Sequence, residues 1–107
     1  MEKKKIIKVF VKNPGKAPHM EVIQNTLGTL QRIVGGNIEA VTLATDAALI
    51  VNEEGRLYNL SYNCEYLGTW FVGTMIWIGV DGEEFTDFPM TKEEFKALNP
   101  KLWEVSK

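Results

Sequence analysis

A nucleophilic triad needs a base to take a proton and a third group to orient that base. This chain offers one histidine, His19, and one cysteine, Cys64, far apart in the sequence. His19 lies between Pro18 and Met20 in an expected loop, and no local motif ties it to Cys64. A buried structural cysteine and an exposed loop histidine account for the two more simply. A structural zinc ion asks for four Cys or His ligands, and His19 and Cys64 are the only such residues. Acidic side chains gather in two turns, Glu53 with Glu54, then Asp81, Glu83, Glu84 and Asp87. Neighbours on a strand face opposite sides, so Glu83 and Glu84 do not form one carboxylate pair. Neither turn has the spacing of a calcium loop. Gly35-Gly36 follows an expected helix and precedes a strand, the reverse of the order that aims backbone amides at phosphate. No catalytic set converges, so the expectation is a non-enzymatic protein without a cofactor or metal.

Aromatic residues point elsewhere. Tyr58, Tyr62, Tyr66, Trp70, Phe71 and Trp77 crowd into twenty residues. About half must face inward on alternating strands, while Trp and Tyr with few charges around them make a typical recognition surface. Tyr62, Tyr66 and Trp70 are the expected binding residues, with a protein as the first partner. Charge supplies the second reading. Residues 1–16 carry six lysines against one acid, whereas the rest of the chain carries six basic and thirteen acidic side chains. A basic arm contacts phosphate backbones and tyrosines stack on bases, so nucleic acid is the alternative partner. The plainer account of Lys3, Lys4, Lys5, Lys8, Lys12 and Lys16 is a solubilising fringe and the exposed face of a first strand.

These residues must be positioned by a short chain. Its 107 residues, 45% hydrophobic and 24% charged, fit one soluble domain spanning 1–107, with residues 1–4 a loose basic tail. A lone cysteine and a broken apolar run after Lys5 suit a reducing, cytoplasmic setting rather than export. The longest uncharged stretch, Tyr66 to Val80, is fifteen residues, shorter than the roughly 20 needed to span a bilayer as a helix. No membrane partner is expected.

The pattern along the chain reads as α+β. Residues 5–12 form a half-buried strand, Asn13-Pro14-Gly15 a turn, and Met20 to Gln24 a short return strand. Asn25 is placed to cap a main helix over about 25–35, with Leu27, Leu30, Ile33 and Val34 as its apolar stripe. Gly35 ends it in the left-handed conformation, followed by Gly36. Runs at 38–44, 47–51 and 57–60 are strands, the last two joined by Asn52-Glu53-Glu54-Gly55 with a positive φ expected at Gly55. Residues 61–68 are an irregular connection or one helical turn. A long strand covers 69–80, with Gly73 or Gly79 as bulge positions. Asp81-Gly82 is a two-residue hairpin loop of type I′, leading into a strand over 83–88. A capping box at Thr91 to Glu94 opens a short helix through Leu98. Together they give a mostly antiparallel sheet of hairpins with two helices.

The helix ending in Gln31-Arg32-Ile33-Val34-Gly35-Gly36, then Ile38-Glu39-Ala40-Val41, the Asn52-Glu53-Glu54-Gly55 turn, and Val72-Gly73-Thr74 before Asp81-Gly82 resemble a small bacterial and phage family. That family is known as domain of unknown function 3846. The likeness runs through nearly the whole chain in the same order, departing at Leu60-Ser61-Tyr62-Asn63, where the family often has a Leu-Pro pair before Asn. It implies a compact domain and a phage or conjugative-element context, and so an accessory protein. The thirteen acids against six bases beyond the N-terminal arm are a weak form of the nucleic-acid-mimicking surface of an anti-defence protein. The likeness implies no activity, catalytic residue or ligand.

Overall fold

Alternation along the first strand decides the layering. In the computed structural model, which describes residues 3–105, Ile6–Lys12 forms β1. Ile7, Val9 and Val11 turn to one face of the sheet and Phe10 to the other, as successive strand residues must. The remaining strands of the main sheet are β2 (His19–Gln24), β3 (Ile38–Ala44), β4 (Ala47–Asn52), β7 (Met75–Asp81) and β8 (Glu84–Thr86). Their order is β2-β1-β7-β4-β3, every pairing antiparallel, with β8 beside the far end of β7. All six residues of β4 are buried. A strand covered on both faces reads as one apolar run, which is how Ala47 to Val51 looks in the sequence.

Helix α1 (Leu27–Val34) covers one face, setting Leu30 and Val34 on Ile7, Val9, Ile50, Ile76 and Ile78. Helix α2 (Lys92–Leu98) and a 3₁₀ turn, Pro100–Trp103, cover the other with Phe95 and Leu102. Phe95 is its hub, with the rings of Phe10, Trp77, Phe88 and Trp103 at 5.1, 5.3, 5.1 and 5.3 Å. Beside them lies a separate two-stranded ribbon, β5 (Tyr62–Tyr66) with β6 (Thr69–Val72), which packs Cys64, Tyr66 and Phe71 onto the same face. The α+β class and the largely antiparallel sheet stand as the sequence implied.

Several local expectations need correction. The N-cap of α1 is Thr26, whose side chain accepts from the Thr29 amide. Asn25 is buried one residue earlier, its amide donating to the carbonyls of Lys4 and Phe85. Gly35 does take φ 83 as the C-cap. Gly36 serves by its missing side chain, since a Cβ there would lie 2.9 Å from Asn52 Nδ2, which donates to the Val34 carbonyl at the helix end. Residues 57–60 are no strand; the chain from Glu53 to Asn59 coils through turns, with Tyr58 N–H donating to Glu54 O and Leu60 N–H to Gly55 O.

Gly55 does not have a positive φ; Asn59 takes one instead, at 54°. Gly55 is instead buried and tightly packed, where a Cβ would meet the Val72 Cγ2 methyl at 3.0 Å. Residues 61–68 hold β5, and the long strand breaks at Gly73 into β6 and β7. The hairpin after β7 pairs Asp81 with Glu84, so its loop is Gly82-Glu83, one residue later than expected. Only Gly82 there has a positive φ, the mark of type II′ rather than I′.

Met1 and Glu2, half of the expected loose tail, lie outside the described residues. Lys4 is held: its ammonium pairs with the Asp87 carboxylate and its carbonyl accepts from Asn25. Burial alone would raise the Asp87 carboxyl, but hydrogen bonds and charge from Lys4 and Lys8 hold it below its ordinary value.

Candidate functional site

Lys12 and Phe10 have the same parity on β1, so Lys12 points to the face that the ribbon covers. It is 3% exposed. Opposite it, β5 carries a bulge: Tyr62 pairs with Val72 and Cys64 with Phe71, leaving Asn63 as the extra residue. A bulge re-aims the side chain of its extra residue, and Asn63, 7% exposed, turns inward. Its amide nitrogen donates to Lys12 O at 2.8 Å and Gly73 O at 2.7 Å. Its carbonyl oxygen accepts from Lys12 Nζ at 2.6 Å. One side chain therefore ties the end of β1, the ribbon and the Gly73 break into a single polar knot. A cleft of about 520 Å³ opens over it.

Cys64 follows the bulge, half-buried, its thiol 3.5 Å from Met75 Sδ. Burial pushes this thiol up from its ordinary value, partly opposed by the charge of Lys12. The same burial pushes the Lys12 ammonium down, partly opposed by Cys64. A raised thiol stays protonated and is a poor nucleophile. His19 does not assist it. It pairs with Val11 and so sits on the α1 side, 2.5 Å from Glu21 Oε2, while Cys64 packs on the opposite face. Among the described residues no three His, Cys, Asp or Glu side chains gather as a metal site.

The outer surface of the ribbon is apolar and aromatic. Tyr62 is 59% exposed, Trp70 51% and Leu67 69%, with Leu57 and Tyr58 exposed on the adjoining coil. The Arg56 guanidinium lies 4.1 Å from the Trp70 ring centroid and donates to Trp70 O at 2.5 Å, fixing the indole in place. Leu67 and Gly68 form the ribbon turn with φ of 52° and 75°. A turn with positive φ at both central residues is type I′, which favours Asn-Gly. Leucine there costs about 1 kcal/mol in backbone strain.

Tyr66, by contrast, is only partly exposed, standing edge-on to Trp77 at 5.4 Å and tilted against Phe71 at 6.4 Å. The two tyrosines thus have different work. Tyr62→Ala is expected to leave stability within about 0.5 kcal/mol of the parent, whereas Tyr66→Ala should cost about 2–4 kcal/mol by opening the ribbon-side core. Urea midpoints of the two single variants check this; equal losses would contradict the division.

Sequence reasoning missed Lys12 and Asn63. The available signal was parity: a lysine two residues after the inward Phe10 shares its face. Exposed Lys8 and Ile6 have the same parity but lie where that face is uncovered. Only the placement of the ribbon distinguishes them.

A family model described as domain of unknown function (DUF3846) matches residues 7–99. No curated protein and no solved structure matches the chain.

Proposed function

The chain belongs to the DUF3846 family, a domain of unknown function, and we propose that it acts without catalysis, by binding another protein through the outer surface of the β5–β6 ribbon. The observation that carries this is Leu67. An exposed leucine held at φ 52° at the tip of a hairpin lowers the protein's own stability, where asparagine or glycine would not. Strain retained on an exposed apolar side chain is accounted for by a contact that needs that side chain. Trp70, pinned by Arg56, and Tyr62 extend the apolar surface on either side of the ribbon. The mobile-element context implied by the family resemblance directs the search for the partner to host or element-encoded proteins. An unpaired, protonated Cys64 agrees with a reducing, cytoplasmic setting.

Nucleic acid is the weaker reading. Of the six N-terminal lysines, Lys12 is buried and Lys4 is paired with Asp87, and the groove beside Trp70 is bordered by Glu39, Glu53 and Glu54. Among the described residues, no helix is long and apolar enough to cross a membrane.

The test uses Leu67→Asn. It should raise stability by about 1 kcal/mol, by removing backbone strain. A photo-crosslinking residue at Trp70, expressed in host cells, should yield a discrete protein adduct that the Leu67→Asn change weakens. A control crosslinker at Lys92 should not form that adduct. The reading fails if Leu67→Asn is neutral to the adduct. It also fails if the chain instead retains nucleic acid with an affinity that falls steeply with salt.

A further inference from the structure

Lys12 is a buried cation without a counter-charge. Its ammonium carries three donors, yet among the described residues its one acceptor is Asn63 Oδ1, and no carboxylate lies within ion-pair distance. Buried donors are nearly always matched, and an uncompensated buried charge is costly. Asn63 offers no second acceptor, because its amide nitrogen is committed to two backbone carbonyls. Lys12 and its partner Asn63 line a cleft of about 520 Å³, large enough for a small organic molecule. We propose that this cleft binds the carboxylate of a small, singly charged organic acid on the Lys12 ammonium.

The walls select the ligand class. Besides Lys12 they include Lys101, Glu65 and Glu104, so the charges cancel before anything enters. One negative charge completes the unmatched donors of Lys12. A second, as on phosphate, has only Lys101 to set against both Glu65 and Glu104, so the added negative charge is disfavoured. Tyr62 and Tyr66 supply ring surface for the body of the ligand. The cleft is therefore suited to an aromatic or aliphatic monocarboxylate and unsuited to a phosphate. The proposal does not rest on the protein-binding reading: Tyr62 and Leu67 border both the outer surface and this cleft, but that reading has its own crosslinking test at Trp70.

The experiment titrates sodium benzoate, and separately inorganic phosphate, into the ¹⁵N-labelled full chain at constant ionic strength. It follows the Asn63 side-chain amide pair and the backbone amides of residues 62–68. Benzoate is expected to move these signals to saturation, with phosphate at least about tenfold weaker; Lys12→Met should weaken benzoate by about tenfold or more, the loss of a charge-assisted hydrogen bond. An apolar side chain of similar length removes the cost of the unpaired buried charge, and the variant's own spectrum checks that it folds. Should Lys12→Met fail to fold, the ε-carbon signal of Lys12 in the parent protein decides, since carboxylate binding must shift it. Non-saturating shifts, shifts that persist in folded Lys12→Met, an unmoved Lys12 ε-carbon, or tighter binding of phosphate would each overturn the proposal.

Discussion

Asn63→Ala is expected to lower stability by about 3–5 kcal/mol, because it removes the one acceptor that a buried ammonium has among the described residues and the donor to two backbone carbonyls at one stroke. The substitution breaks the 2.6 Å bond from Lys12 Nζ and the 2.8 and 2.7 Å bonds to Lys12 O and Gly73 O. The bonds to Lys12 join residues 51 positions apart, so no local structure replaces them. Much of the cost belongs to the stranded charge rather than to the carbonyls. In a Lys12→Met background, the same Asn63→Ala change should therefore cost about 1–2 kcal/mol less, within the range measured for directly coupled pairs. Urea denaturation of the parent, the two singles and the double variant measures this. Additive losses, or a single-variant loss below about 1 kcal/mol, would show that water already satisfies Lys12.

The second large effect sits at Gly79. A Cβ there would fall 1.9 Å from Asp87 O and 2.6 Å from Asp87 C, far inside contact distance and against backbone rather than a flexible side chain. The cause is a crossing. After β8 the chain passes over β7 so that the Phe88 N–H can donate to Lys8 O, seating Phe88 against Phe10 at 5.8 Å and Phe95 at 5.1 Å. Gly79→Ala must lift this crossing, and Phe88 and the Lys4–Asp87 pair move with it. We expect a loss of at least about 3 kcal/mol, above the ordinary cost of one excess methyl group in a core. A urea midpoint and slope close to those of the parent would show that the crossing relaxes freely.

Gly79 also marks what the sequence conceals. As a glycine in a strand it reads as a bulge, yet the pairing of β7 with β4 is regular there. The requirement comes from a segment eight residues later. Where one period dominates, the sequence suffices: β1 to β4, α1 and the capping box of α2 all follow from alternation, an apolar stripe or a capping pair. Legibility ends between residues 53 and 73. Leu57 and Tyr58 look like strand residues but are exposed on a coil, and β5 lacks alternation because its bulge buries a polar side chain. The I′ turn fell at Leu67-Gly68, a dipeptide with no favourable local signal, while Asp81-Gly82 carried the signal without that geometry. Of the expected binding residues, Tyr62 and Trp70 are exposed and Tyr66 is largely a core side chain, a difference set by the packing of the ribbon and not by residue type.

The strand order has a consequence for synthesis on the ribosome. β7 lies between β1 and β4, yet it is the seventh strand made. Until Asp81 has emerged, the nascent chain holds the hairpins β1–β2 and β3–β4 with no strand pairing between them, α1 alone packing on both, and the β5–β6 ribbon has no finished sheet to cover. Isolated hairpins are marginal in water. Each presents an apolar face and an unpaired edge during that interval, the condition under which chains aggregate or recruit chaperones. β7 therefore decides whether the two earlier hairpins become a sheet, and a polypeptide cut short before β7 is expected to be a substrate for proteolysis rather than a smaller folded domain.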